Sequence, residues 1–306
     1  MTETRNPLDP VTLCKISNMT LRARYIVEGV LSGLHKSPHK GSSIEFLEHK
    51  EYSPGDEIKH IDWKVLARSD KYYLKQFETE TNLKCYILLD TSGSMGYCST
   101  GVSKLDYAAT LAASLTYLML NQSDAVGLAT FSNEILNYVP PRTKPSHLNI
   151  LVDVLKNVKA EGKSDLGNVM NIIAEKVKMR SLLIVISDFF DDVMKVVRAL
   201  THLRFHKNEI ILFHLLDPYE LEFPFDNPTL FVSTEDERRI LSEPKAIREQ
   251  YISGINHFIE LLRQKCLENQ IDHWLINTSS PLDHAILKYL TLRERILCYR
   301  SSAPSF

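Results

Sequence analysis

The sequence lacks any long apolar stretch, and no run approaches the roughly 18 to 20 residues that a membrane-spanning helix needs. Its first ten residues, MTETRNPLDP, are polar and do not have the pattern of a secretory signal. The five cysteines are scattered along 306 residues without a C-x-x-C pair, which argues against a disulfide framework and a zinc ribbon. We therefore expect a soluble protein in a reducing cytoplasm.

An excess of charge of one sign is also missing, because 36 basic residues stand against 38 acidic ones and the net charge is −2. Such a chain has no general positive field to attract nucleic acid or anionic lipid, so neither is an expected partner. Three enzyme motifs are absent too: the G-x-x-x-x-G-K-[ST] phosphate loop, a G-x-G-x-x-G turn after a strand, and the G-x-S-x-G elbow. Nucleotide hydrolysis would have to come from a partner protein.

From residue 82 onward, short leucine-rich or β-branched runs alternate with longer amphipathic segments. This pattern is typical of strand–helix–strand crossovers and predicts an α/β domain with a doubly wound, mostly parallel sheet. The expected strands are 85–90, 125–131, 182–187, 209–216 and 273–277. The expected helices are 104–121, 146–158, 165–178, 192–204, 245–269 and 282–294, and residues 217–243 are expected to be irregular.

The first part of the chain has a different sequence pattern. Residues 10–34 have helical spacing of apolar positions, and residues 41–80 form short segments around a Pro54-Gly55 turn. We therefore predict two domains, a small N-terminal helix-plus-strand module at 1–81 and the large α/β domain at 82–306.

Polar side chains follow the first predicted strand of the large domain directly. Asp90, Ser92 and Ser94 alternate along a tight turn, and Gly93 allows the backbone to approach closely. In an open parallel sheet, ligands bind beyond the carboxyl ends of the strands, and carboxylate and hydroxyl oxygens suit Mg²⁺ or Mn²⁺. Asp and Ser also occur in such turns for local capping reasons, so the turn alone leaves both interpretations open.

This D-x-S-x-S turn after a central strand resembles the metal-ion-dependent adhesion site of von Willebrand factor A domains. In that family a threonine from a second loop and an aspartate after a later strand complete the site, and Ser164 and Asp188 are at the matching positions. Serine lacks the methyl group that stiffens threonine, so weaker metal binding is expected. The resemblance implies a Rossmann-type, von Willebrand factor A-like domain that holds one Mg²⁺, or else Mn²⁺ or Ca²⁺, with Asp90, Ser92, Ser94, Ser164 and Asp188.

A second resemblance covers residues 51–80, EYSPGDEIKHIDWKVLARSDKYYLKQFETE. This stretch is similar to the signature of the bacterial domain of unknown function 58 family, whose members join it to a von Willebrand factor A-like domain; Glu57 and Lys59 depart mildly from the pattern. The resemblance implies an adaptor or chaperone-like role beside a MoxR-type AAA+ ATPase. The matching residues are Tyr52, Pro54, Gly55, Asp56, Ile61, Asp62, Trp63, Ala67, Arg68, Lys75, Phe77 and Glu78.

Two functions of different classes remain. In the preferred one, the protein is not an enzyme but a binding module whose metal keeps one position open for a carboxylate of a protein partner. This requires three turns to meet at one exposed rim of the sheet. In the alternative, Asp90 is the nucleophile of a magnesium-dependent phosphatase of haloacid dehalogenase type, with Asp188 or Asp192 as metal ligand. Such enzymes usually need an acid two residues after the nucleophile, and Ser92 cannot act as one.

Overall fold

The structure, a computed structural model, describes residues 8–36, 50–51, 73–74, 83–177, 180–236 and 238–301. The chain divides into two units, one of Met1–Ser32 with Leu83–Phe306 and the other of Gly33–Asn82. In the smaller unit, strands β1 (Lys50–Glu51) and β2 (Tyr73–Leu74) pair antiparallel. The remaining signature residues of 52–72 and 75–80 lie outside the described residues.

A six-stranded sheet forms the centre of the larger unit. Five of its strands are parallel to their neighbours, and one edge strand pairs antiparallel. The strands are β3 (Lys84–Asp90), β4 (Ala125–Phe131), β5 (Ile135–Arg142), β6 (Leu182–Ser187), β7 (Glu209–Leu216) and β10 (Asp272–Asn277). Their order is β10-β7-β6-β3-β4-β5, so the predicted doubly wound, mostly parallel sheet is confirmed.

Helices cover both faces of this sheet and bury two apolar clusters. On one face lie α2 (Met19–Lys36), α3 (Lys104–Asn121), α4 (His147–Lys156) and α9 (Asp283–Ser301), and the short α1 (Pro10–Cys14) packs with them. On the other lie α5 (Leu166–Lys176), α6 (Val193–Phe205) and α8 (Pro244–Glu268). Among the described residues, no helix has both the length and the apolar character needed to cross a bilayer.

The edge strand β5 differs from the prediction, which had no strand there. Its sequence contains Pro140 and Pro141, and most of its side chains are exposed, so it has neither the composition nor the periodicity of a buried strand. Proline is tolerated because an edge strand pairs on one side only.

The segment expected to be irregular contains more structure than predicted. It holds α7 (Pro218–Glu222) and an antiparallel hairpin of β8 (Thr229–Val232) and β9 (Arg239–Ser242). The ring of Phe223 stacks on Phe231 at 5.6 Å and on Tyr251 of α8 at 4.3 Å between centroids. Aromatic packing therefore ties the hairpin to α7 and α8.

The N-terminal helices belong to the larger unit, whereas the predicted module at 1–81 separated them from it. Ala23 and Ile26 of α2 are fully buried in the same cluster as α3. Arg22 donates to the hydroxyl of Thr110 at 2.9 Å and to the carbonyl of Ile16 at 2.8 Å. The predicted boundary at 81 lies at the edge of the smaller unit, but α1 and residues 19–32 of α2 are corrected to the larger one, because the apolar face of α2 packs in the same cluster as α3.

Ile26→Ala should lower the free energy of unfolding of the larger unit by about 2 to 5 kcal/mol, because it leaves a cavity where a fully buried side chain packs. Leu21→Ala is the control, since Leu21 lies on the same helix with 55% of its surface exposed, and it should change stability by about 0.5 kcal/mol or less. Denaturant unfolding measures both. Equal stabilities for the two variants would contradict the assignment of α2 to this unit.

Candidate metal-binding site

Three loops meet at the carboxyl ends of β3 and β6. The amide of Gly93 donates to the carbonyl of Gly162 at 2.8 Å, which joins the turn after β3 to the loop before α5. The hydroxyl of Ser187, at the end of β6, donates to Asp90 Oδ2 at 2.6 Å. From β3 the chain continues to β4 on one side, and from β6 it continues to β7 on the other, so this is a switch point of the sheet.

Asp90 is the last residue of β3, and its carboxyl group is fully buried. Oδ1 accepts a hydrogen bond from the amide of Ser92 at 2.8 Å, and Oδ2 accepts the one from Ser187. Burial, together with the negative charge of Asp188, raises the pKa of Asp90 to about 7 against the opposing effect of these hydrogen bonds. The carboxyl group is therefore fixed in orientation and lacks a compensating positive charge.

The serine hydroxyls surround the same turn. Ser92 Oγ and Ser94 Oγ are 3.2 Å apart, with Ser92 buried and Ser94 half-buried. Ser164 Oγ is buried and has no hydrogen-bond partner. A buried hydroxyl without a partner is costly, and a bound ion or water would remove that cost.

Lys104 and Glu220 complete the site, and neither residue was predicted from the sequence. Lys104 Nζ lies 2.7 Å from Asp188 Oδ2 and 2.6 Å from Glu220 Oε1, and its side chain is 0% exposed. Burial opposes its charge, but the two carboxylates outweigh burial, and the pKa of Lys104 is raised. A lysine at the start of a helix is usually solvated, so nothing in the sequence indicated the buried position of Lys104. The helix α7 did have a signal, because Asp217-Pro218-x-Glu220 is the pattern of the capping box that the structure contains.

The residues present fit a divalent cation. In the described part of the chain, no three His, Cys, Asp or Glu side chains lie close enough to hold a metal by themselves, so a cation here would need serine hydroxyls. Asp90, Asp188 and Glu220 supply three carboxyl groups against the single ammonium of Lys104. A divalent ion beside Asp90 would supply the positive charge that this carboxyl group lacks, and oxygen donors of this kind suit Mg²⁺.

The site is not the exposed rim that the sequence predicted, and this expectation was wrong. Asp90, Ser92 and Asp188 are buried, and only Ser94 and Ser164 are partly accessible. The turn between β8 and β9 lies against the turn after β3: a Cβ atom on Gly93 would be 2.3 Å from the carbonyl oxygen of Thr234. The sequence could not show this, because the covering turn is about 140 residues away along the chain and was expected to be irregular.

A known protein family matches most of the chain. The family described as "Protein of unknown function DUF58" matches residues 48–257. Uncharacterized proteins of Mycobacterium bovis and Mycobacterium tuberculosis are 25% identical over 221 residues, which are 71% of this chain and 68% of theirs.

Solved structures resemble the chain weakly. An aerotolerance-related membrane protein from Bacteroides fragilis is 16% identical, with 67% of this chain and 97% of that one covered and a TM-score of 0.46. BatB from Bacteroides thetaiotaomicron is also 16% identical, with coverage of 70% and 99% and a TM-score of 0.46. These likenesses concern the fold and assign no function.

Gly93→Ala should destabilise the protein by about 1 to 3 kcal/mol, because the added methyl group meets the backbone of Thr234, which cannot rotate away. The matched control is Gly254→Ala within α8, where nothing lies within 4 Å of the added methyl group. That change should stabilise by about 0.5 to 1 kcal/mol. Denaturant unfolding gives both values, and a Gly93→Ala variant as stable as the wild type or more stable would show that the two turns are not in contact.

The pKa of Asp90 predicts a pH dependence of stability in chelator. Between about pH 4 and 7 the folded protein keeps a proton on Asp90 that the unfolded chain has released, so this group stabilises less as the pH rises through that window. The loss of stability from pH 5 to pH 8 should therefore be smaller in Asp90→Asn than in the wild type. Asp153→Asn, at a carboxyl 73% exposed, should behave like the wild type. If Asp90→Asn lost as much stability as the wild type between pH 5 and pH 8, the raised pKa of Asp90 would be refuted.

Proposed function

Since the chain belongs to the DUF58 family of proteins of unknown function, we propose on that premise that its larger unit is a metal-dependent protein-interaction module rather than an enzyme. The observation that carries this proposal is the convergence of the three loops around Asp90, with the buried hydroxyl of Ser164 left without a partner. Hydrogen bonding fixes Asp90 before any ligand arrives, as a preformed binding site requires.

Asp90, Ser92, Ser94, Ser164 and Asp188 are the proposed ligands, directly or through water, of one Mg²⁺ ion, with Mn²⁺ or Ca²⁺ as alternatives. When bound, the ion would supply a positive position for a carboxylate of the partner protein. Ser94 is half-buried and Ser164 is partly accessible although its hydroxyl is buried, so we expect the partner to approach from the side of Ser94.

The proposed partner is a MoxR-type AAA+ ATPase, which the resemblance of the 51–80 signature implies. The sequence contains no phosphate-binding loop of its own, so ATP hydrolysis would be the partner's contribution. A cytoplasmic location stays a prediction. Nothing in the described residues favours the phosphatase alternative, since Ser92 beside Asp90 offers no general acid.

The metal part of this proposal is tested by titrating Mn²⁺ into the purified protein and measuring bound ion by electron paramagnetic resonance. The wild type should bind one ion, and Asp90→Ala should bind none, because it loses the central carboxylate. Asp153→Ala is the control for loss of a surface carboxylate. Thermal unfolding of Asp90→Ala in EDTA establishes that it is folded. Undiminished Mn²⁺ binding in that variant would contradict the proposed ligand set.

The partner is tested separately, with immobilised protein and a purified MoxR-type ATPase encoded in the same genome. We expect the ATPase to be retained in Mg²⁺ and released in EDTA, and not to be retained by Asp90→Ala. Asp153→Ala should retain it. If the ATPase binds equally in EDTA, or binds folded Asp90→Ala as well as the wild type, the interaction does not depend on the metal and this part of the proposal fails.

A further inference from the structure

The ammonium group of Lys104 is the cation already present beside the proposed metal ligands. It lies in direct contact with Asp188, and its side chain is the most buried cationic partner among the described ion pairs. Both oxygens of Asp188 have a partner, because Oδ2 accepts from Lys104 and Oδ1 accepts from the amide of Phe190 at 3.3 Å. A metal ion that used Asp188 would therefore share this carboxylate with an ammonium group.

Glu220 gives Lys104 a second anchor. Its Oε1 accepts from Lys104, while its Oε2 accepts from the amide of Asp217 and thereby closes the capping box of α7. Asp217 also accepts hydrogen bonds from the amide and hydroxyl of Ser99, in the loop that leads to α3. Lys104 can thus stay paired with Glu220 when Asp188 turns toward another cation. The hydrogen bonds of Asp217 and Glu220 already hold α7 in place.

On the basis of the proposed metal site, we propose that Lys104 is a built-in cation that shares Asp188 with the divalent ion and so limits how tightly the site binds it. Without metal, the ammonium partly neutralises the buried carboxylates and keeps the loops assembled. With metal, two like charges stand on either side of Asp188, and their repulsion in a buried setting weakens metal binding. The site would then respond to changes in metal concentration instead of holding its ion permanently.

A purely structural ion pair is the competing explanation. Buried ion pairs often stabilise no more than apolar residues of the same size, and removing one partner leaves an uncompensated charge. On that explanation, loss of Lys104 would lower stability and would leave metal affinity unchanged or weaker. Tighter metal binding after loss of Lys104 therefore distinguishes the proposed role from the structural explanation.

The test compares Mn²⁺ affinity and melting temperature, with and without Mn²⁺, in the wild type, Lys104→Met and Glu220→Gln. Lys104→Met should bind Mn²⁺ roughly tenfold more tightly, because the competing charge is gone. It should melt at a lower temperature in EDTA and gain more from added Mn²⁺ than the wild type does. Glu220→Gln keeps the lysine but removes its second anchor, so Mn²⁺ should bind several-fold more weakly, roughly the opposite effect.

Lys195→Met controls for the change in net charge. Lys195 Nζ also lies 2.7 Å from a carboxylate, that of Asp165 next to Ser164. The side chain of Lys195, however, is 50% exposed. Solvent screens its charge, and its loss should change Mn²⁺ affinity by about twofold or less. An equal gain in Lys195→Met and Lys104→Met would overturn the proposal, because net charge alone would then explain it.

The outcomes separate this inference from the proposed function. If the wild type binds Mn²⁺ through Asp90 and folded Lys104→Met binds it no more tightly, the role of Lys104 is refuted and the metal site stands. If Lys104→Met does not fold, unchanged or tighter binding in Glu220→Gln refutes the role, and weaker binding supports it only if the loss clearly exceeds that in Asp153→Ala, which also removes one negative charge. If neither the wild type nor any folded variant binds Mn²⁺, the metal site itself is refuted, and the inference with it.

Discussion

The structure depends on the burial of two aspartates, Asp90 and Asp188, at the ends of adjacent parallel strands. Buried carboxylates of like charge repel each other and lose their hydration, so they persist only where cations and hydrogen-bond donors compensate them. Ser187 and the amide of Ser92 supply donors to Asp90, and Lys104 supplies an ammonium to Asp188. The compensation is incomplete, which is the physical reason for expecting a further cation.

The doubly wound sheet creates this arrangement. Strands β3 and β6 are neighbours, but the chain leaves them toward opposite edges, so their outgoing loops diverge and leave room between them. The insertion between β7 and α8 then contributes twice: Glu220 of α7 neutralises Lys104, and the turn after β8 covers Gly93. A segment outside the repeating strand–helix pattern therefore determines both the charge of the site and its access.

The sequence was most informative where the signal is local. Apolar periodicity predicted the five parallel strands, and α3 begins and ends at the predicted residues 104 and 121. The motif predicted which turns carry Asp90, Ser164 and Asp188. Contacts between distant segments could not be read in this way: the pairing of Lys104 with Glu220 spans 116 residues, and the docking of α2 on α3 depends on which of several apolar faces pack together. The rim was wrongly expected to be exposed for the same reason, because no residue near 90–94 in the sequence indicates which segment covers them.

Anomalous diffraction from crystals soaked in Mn²⁺ would locate the proposed ion directly. We expect one anomalous peak at the carboxyl ends of β3 and β6, with oxygens of Asp90, Ser92, Ser94 and Ser164 around it and Asp188 beside it. A well-ordered site with no peak, in which Ser164 Oγ is hydrogen-bonded to protein or water and Lys104 alone neutralises Asp188, would contradict it.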